Sequence, residues 1–316
     1  MRILVTGGAG FIGSNLLKIL LADEKNEVIC LDNFDDSYSR KWKQLNILEF
    51  GSCKRFTFIE GNILDKDELN KIDNIEIIIH LAAKTGVRNS IHNPAEYHLT
   101  NVIGTQNLLD LAVKKNVKQF VFSSSSSIYG DNPNTPWMET ELPMPISPYA
   151  CSKMECERLG YFSSKKHSLR FISLRFFTVY GPGQRPDLVI YKFFQSILSN
   201  SPIIVYGDGS SNRSYTYVDD VVSGIMKAIV YDKTEFEIIN LCSKEKVNLL
   251  ELITLIEVIC NKKAIVEWQN EQAGDVPTTE GQNFKAEQLL DYCTKTELQI
   301  GLVKFYEWYM STRAFV

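Results

Sequence analysis

ILVTGGAGFIGSNLLKILLADEKNEVICLD, residues 3–32, decides the fold. An apolar run, ILVT (3–6), stops at a glycine-rich turn, GGAGFIG (7–13). A helical pattern runs from Phe11 to about Asp23, and a second apolar run, EVICLD (27–32), closes the unit. Gly7, Gly10 and Gly13 permit a tight turn and a close backbone approach. Phe11 and Ile12 open the helix, where free N–H groups and the positive end of the dipole suit a pyrophosphate.

Asp32 ends the second strand, 19 residues after Gly13. A carboxylate there accepts hydrogen bonds from ribose hydroxyls and repels a 2′-phosphate. The next residue is Asn33, not an arginine. These residues predict a dinucleotide site that takes NAD rather than NADP. After the third strand, Asn62 and Ile63 are placed to meet the adenine edge, although Asn62 reads equally well as a turn residue.

Working outward, FTFIEG (56–61), IEIIIHLAA (75–83), KQFVFSS (118–124) and LRFISLRFF (169–177) are continuous apolar runs. Such runs fit strands of a parallel sheet buried on both faces. Helical patterns over 94–115 and 148–164 separate them. The expectation is an α/β, doubly wound, Rossmann-type sheet over residues 1–175. Residues 176–316 then form a smaller α/β substrate-binding domain. It contains helices at 188–199, 248–260, 284–292 and 300–311 and a strand-turn at 202–209. A helix over 218–231 and a strand over 236–241, within the segment 214–241, return to the first domain.

Composition narrows the function. A net charge of -4 over 316 residues gives no nucleic-acid surface. No apolar stretch reaches the roughly 18 residues of a membrane span. The opening MRILVTGGAG is not expected to act as a signal peptide, and seven scattered cysteines are expected to be free thiols of a cytoplasmic protein. Four histidines without ligand spacing argue against a metal.

Tyr149 and Lys153 form YxxxK at the start of a helix, on one face. A neighbouring ammonium favours phenolate, so the pair suits proton transfer, with Lys153 expected to lower the tyrosine pKa. The serine run FSSSSSIYG (122–130) leaves the end of a central strand, where open α/β sheets bind ligands.

With these motifs the chain resembles the extended short-chain dehydrogenase/reductase family, and within it the nucleotide-sugar 4-epimerases and dehydratases. GGAGFIG, LAAKTGVRNS (81–90), SSSSSIYG (123–130), YxxxK, RFFTVYGPGQRPD (175–187), NRSYTYVDD (212–220) and AGDVP (273–277) carry the resemblance. It implies that Ser125 completes a triad with Tyr149 and Lys153. It implies further cofactor contacts from Leu81, Ala82, Ala83 and Lys84, and a substrate contact from Arg88. Family dehydratases carry Asp and Glu directly after the catalytic Ser/Thr, whereas this chain has Ser126 and Ser127. Without those carboxylates, elimination lacks its acid and base.

The resemblance therefore implies NAD-dependent inversion at C4 of a UDP-sugar through a 4-keto intermediate. RFFTVYGP with RPD is similar to the UDP-glucuronate 4-epimerase branch, giving UDP-galacturonate. UDP-glucose and UDP-N-acetylglucosamine are the alternative substrates. A dehydratase and a non-catalytic NAD-binding protein are more distant alternatives. Ser126, Ser127 and Thr178 offer hydroxyls at the C6 end, and Arg185 offers charge for a carboxylate. Arg213 resembles the diphosphate-binding arginine, and Gln272 and Asp275 resemble residues near the uridine ribose. The family also implies a homodimer through the helices near 94–115 and 148–164.

Overall fold

A computed structural model describes residues 1–271 and 276–312. Seven parallel strands form the central sheet: β1 (Arg2–Thr6), β2 (Glu27–Asp32), β3 (Phe56–Glu60), β4 (Ile77–His80), β5 (Gln119–Ser125), β6 (Arg170–Phe176) and β7 (Phe236–Leu241). Their order is β7-β6-β5-β4-β1-β2-β3. The chain winds outward from β1 in one direction, then restarts at β4 and winds in the other. β1 and β4 are neighbours, so a crevice opens beyond their C-terminal ends, the position where such sheets bind ligands.

Both faces of the sheet are dry. Ile3, Val5, Ile79, Val121, Ile172 and Leu174 pack on one side with Leu16, Leu17 and Leu20 of the helix Phe11–Ala22 and Val221, Val222 and Ile225 of the helix Val218–Ile229. Leu4, Ile78, Phe120, Phe122 and Phe171 face the other side, against Leu108, Leu109 and Leu111. Adjacent strand residues therefore serve opposite cores, which is why the runs read as continuously apolar. The helix Pro148–His167 lies on this second side, started by Ser147, whose hydroxyl accepts the Ala150 N–H.

The late chain builds a smaller layer over the sheet's C-terminal edge. A helix, Val189–Leu198, leads into the strand Pro202–Tyr206, which pairs in parallel with Ile265–Gln269. The helix Leu249–Cys260 starts with a reciprocal capping box between Asn248 and Glu251. Aromatic rings of Tyr191, Phe194, Phe305 and Trp308 pack together there, and Trp42 reaches Trp308 at 5.9 Å between ring centroids.

Some elements differ from the sequence expectation. The helix expected over 94–115 is interrupted: Pro94–Tyr97 and Gly104–Lys114 are α-helical, but His98–Ile103 is a π-helical turn. The helix Arg40–Leu48 was not anticipated, because its pattern is largely polar and its buried Trp42 packs on distant aromatic residues. Among the described residues, no helix is long and apolar enough to cross a membrane.

Gly160 lets the helix Pro148–His167 sit directly on β6, since a Cβ there would lie 2.3 Å from the Phe171 ring. Gly160→Ala is expected to destabilise the protein by roughly 1–3 kcal/mol through overpacking, measured by urea denaturation. An unchanged midpoint would mean that the helix is free to move off the strand.

Candidate active site

Beyond the ends of β1, β4 and β5 lies a cavity of about 740 Å³, open to solvent and lined by both the sheet and the late chain. This is within the usual range for ligand sites, about 300–1,000 Å³. Gly7 turns at φ +72°, and a Cβ there would stand 2.6 Å from the Ala82 nitrogen. A Cβ on Gly13 would stand 2.4 Å from the Gly7 carbonyl oxygen. The helix Phe11–Ala22 begins at Gly10 with no side-chain cap, so its first N–H groups remain available at the cavity floor.

Asp32 is buried at one end of this cavity, its oxygens accepting the N–H groups of Ala9 (3.0 Å) and Phe34 (2.9 Å). Burial raises its carboxyl above the usual range, while the Phe34 hydrogen bond and the charge of Lys43 oppose that. Asn33, Asn62, Ile63, Leu81, Ala82, Ala83 and Lys84 line the same region. Asn62 is also a turn residue, accepting the Leu64 N–H at 3.0 Å. Lys84 is held 2.8 Å from Asp35 and 2.6 Å from Glu96. Its burial disfavours charge, but these two carboxylates together keep it protonated above the usual lysine range. An uncapped helix start, a cradle that any Cβ would fill and a buried ribose-facing acid fit NAD.

Ser125, Tyr149 and Lys153 meet at the other end. Lys153 is buried and donates to the Ser123 carbonyl at 2.7 Å, its ammonium 6.0 Å from the Tyr149 ring centroid. Burial brings the lysine down to about 8, with Cys156 and Glu157 opposing. Burial also raises Tyr149, against a Ser125 hydrogen bond and the charge of Arg185. The expectation that Lys153 lowers the tyrosine is therefore not met in the polypeptide itself. The ammonium is directed at a backbone carbonyl, and burial of the phenol dominates. Ser125 Oγ accepts from the Ser127 N–H (3.2 Å) and the Ser127 hydroxyl (2.9 Å). With both lone pairs engaged, Ser125 keeps its own proton to donate.

From the late chain come Thr178, Arg185 and Arg213, joined by Arg88 from the short helix Val87–His92 after β4 and by Ser126 and Ser127. Arg185 grips Asp187 with two hydrogen bonds, 3.0 and 2.7 Å, and also donates to Thr85. Arg88 lies over the Tyr206 ring at 4.6 Å, and Arg213 donates to the Asn212 carbonyl at 2.8 Å. Gln272 and Asp275 lie outside the described residues.

A family model described as "NAD dependent epimerase/dehydratase family" matches residues 3–242. The chain belongs to this family. It is 35% identical over 309 residues to a UDP-glucuronate 4-epimerase of Thermodesulfobacterium geofontis, covering 96% of this chain and 95% of that one. A crystal structure of UDP-glucuronic acid 4-epimerase from Bacillus cereus with UDP-glucuronic acid and NAD superposes with a TM-score of 0.94 at 34% identity, over 98% of this chain and 99% of that one. A UDP-glucose 4-epimerase of Thermotoga maritima, bound to UDP-glucose, gives 0.91 at 32% identity and 99% of each chain.

Sequence reasoning missed Tyr38, Lys43, Asp187 and Lys192, which also line the cavity. Asp187 was within a quoted motif, and its pairing with the arginine two positions earlier was a readable signal. Tyr38 and Lys43 come from a stretch with no period. Asn101 was missed too. Its amide takes the Lys84 N–H at 2.8 Å and donates to the Lys84 carbonyl at 3.0 Å and to Ser152 at 2.9 Å. It sits in the π-helical turn, which no sequence periodicity marks.

Beneath the site, His80 bridges Thr6 (2.7 Å) and Thr105 (3.0 Å). The Thr105 hydroxyl donates to the Asn101 carbonyl, so it accepts from His80 Nε2–H and leaves Nδ1 to accept from Thr6. Burial, then the charge of Lys153, bring the imidazole from 6.5 to about 3. Between those values the unfolded chain binds a proton that the folded one refuses, so stability falls as pH drops through that window. His80→Gln should flatten the dependence of unfolding free energy on pH there, by up to about 1.4 kcal/mol per pH unit. Urea titrations at several pH values check this, and an unchanged slope would place the acid sensitivity elsewhere.

Proposed function

We propose that the protein inverts the C4 hydroxyl of a UDP-sugar, UDP-glucuronate to UDP-galacturonate, through a 4-keto sugar. One observation carries this. Ser125, Tyr149 and Lys153 meet in the cavity, and the two residues after Ser125 are serines. The carboxylates among the described lining residues are Asp32 and Asp35 near the glycine cradle and Asp187, which is paired with Arg185. None is free to serve as acid or base at a sugar C5 or C6, so the site suits redox-neutral epimerisation rather than elimination.

NAD, when bound, supplies the hydride acceptor and donor at its nicotinamide. The chain's residues do the rest. Tyr149 removes the proton from the 4-hydroxyl and returns it after the sugar has presented its other face. Ser125 donates to the oxygen that carries the developing charge, and Lys153 holds the cofactor ribose. Leu81, Ala82, Ala83 and Lys84 support the cofactor from the end of β4. Arg88 and Arg213 are suited to the diphosphate, and Gln272 and Asp275 to the uridine.

Glucuronate is favoured over glucose by the hydroxyls of Ser126 and Thr178 and by Arg185 as donors to a carboxylate, joined by Ser127 when its hydroxyl turns from Ser125 to the sugar. A 4-keto glucuronate is a β-keto acid. Donors that hold its carboxylate can keep the C5–C6 bond out of line with the ketone π system and slow loss of CO₂.

The reading extends to a cytoplasmic homodimer in which the segment 94–114 and the helix Pro148–His167 pair with their copies. The exposed Leu99, Ile103 and Phe162 on these elements support it. Seven free cysteines support a reducing compartment. Leu99→Glu with Ile103→Glu should yield a monomer by light scattering. An unaltered dimer would place the interface elsewhere.

Incubation with UDP-glucuronate, without added reductant, should give UDP-galacturonate by proton NMR with no CO₂ release. Tyr149→Phe should lower kcat by roughly 10²–10⁴-fold with little change in KM. Turnover of UDP-glucose or UDP-N-acetylglucosamine alone would keep the mechanism and reject the carboxylate grip. Full activity of Tyr149→Phe would reject the proton-transfer role.

A further inference from the structure

A buried ion pair lies directly behind the Ser125–Tyr149–Lys153 cluster. Glu157 is one helical turn beyond Lys153, as Lys153 is one turn beyond Tyr149, so the three share a face of the helix Pro148–His167. Glu157 Oε1 accepts from Ser124 Oγ (2.7 Å), Ser173 Oγ (3.0 Å) and Arg175 Nε (3.0 Å), and Oε2 accepts from Arg175 Nη2 (2.7 Å). Glu157 and Arg175 are both buried. The Arg175 guanidinium lies over the Tyr129 ring at 4.8 Å, and Tyr129 donates to Asn240 of β7 at 2.8 Å.

The contacts form a register between helix and strand. Lys153 is bonded to Ser123, Glu157 to Ser124, and Tyr149 stands beside Ser125. Three turns of the helix are thus tied to three consecutive residues at the end of β5. We propose that Glu157 is a positioning residue for proton transfer: it clamps the helix that carries Tyr149 and Lys153 to the strand end that carries Ser125. Its carboxylate also favours the charged form of Lys153. This rests on the reading of Tyr149 and Lys153 as the proton-transfer pair.

The groups around Lys153 are few. Its own helix supplies Tyr149, Cys156 and Glu157, and β5 supplies the Ser123 carbonyl and the Phe122 ring, 4.8 Å away. From β4 comes His80, kept neutral by burial, and from β6 Arg175, behind Glu157. Arg185 acts on Tyr149 from the late chain, and Glu139 faces Arg175 from the loop after β5. Cys156 is a thiol that burial holds up to about 11, so Glu157 is the fixed negative charge beside the lysine.

The test compares Glu157→Gln, the neutral pair Glu157→Gln/Arg175→Met, and Ser124→Ala with wild type. Glu157→Gln should lose stability, because it strands a buried guanidinium. The double variant should recover stability. It should still show a kcat lowered roughly tenfold to a hundredfold, an unchanged KM and an alkaline limb of the pH profile moved to lower pH. Ser124→Ala, which keeps the ion pair, should lower kcat with KM held. The second readout needs no turnover: titration of the Lys153 ε-methylene by carbon-13 NMR, assigned by its loss in Lys153→Met. Its midpoint should fall in both Glu157 variants. A double variant with wild-type kcat and an unmoved Lys153 midpoint would overturn the proposal and leave Glu157 as a structural ion pair. If wild type turns over none of the sugars tested, the functional reading fails, while the Lys153 midpoint still decides the inference.

Discussion

The close approach of two backbones at the centre of the sheet governs most of what surrounds it. The turn at Gly7 runs against the start of the loop after β4, and Gly13 brings the first helix onto the same turn. No side chain fits at either contact. Because they close so tightly, the helix start is presented to the crevice as bare N–H groups, and β1 and β4 stay adjacent at the switch of winding direction. The cavity, the place of Asp32 and the direction in which β5 delivers its serines all follow from that junction.

Several polar groups around the site are held by fixed partners. Asn101 pairs with the backbone of Lys84 much as a neighbouring strand would, and the π-helical turn gives its side chain that reach. His80 is held in one tautomer by two threonines. Arg185 and Asp187 neutralise one another at the cavity wall. Any anion that reaches Arg185 therefore meets an arginine that already has a carboxylate partner.

Elements defined by local patterns were legible in the sequence. Continuous apolar runs mark strands buried on both faces, glycine spacing marks the cofactor turn, and i,i+4 spacing places Tyr149 and Lys153 on one helix face. Elements defined by distant contacts were not. The helix Arg40–Leu48 is held by Trp42 against rings more than 140 residues away in the chain, Tyr191 and Trp308. The parallel pairing of Pro202–Tyr206 with Ile265–Gln269 joins segments separated by two helices and β7. At the site, motif residues could be named, but their partners could not. Neither the Glu157–Arg175 pair nor the preference of Lys153 for a backbone carbonyl follows from spacing.

The placement of β7 bears on the order in which the molecule can be completed during synthesis. A nascent chain emerged to residue 175 holds the whole glycine fingerprint, the serine strand and the Tyr149 helix, yet β6 is then an unpaired sheet edge. Exposed parallel edges of this kind invite pairing with other chains. Some sixty further residues must be made before Phe236–Leu241 can cover that edge, and Trp308 must follow before Trp42 is covered. The parts that recognise the cofactor are thus the first to be made, and the strand that seals their sheet is among the last.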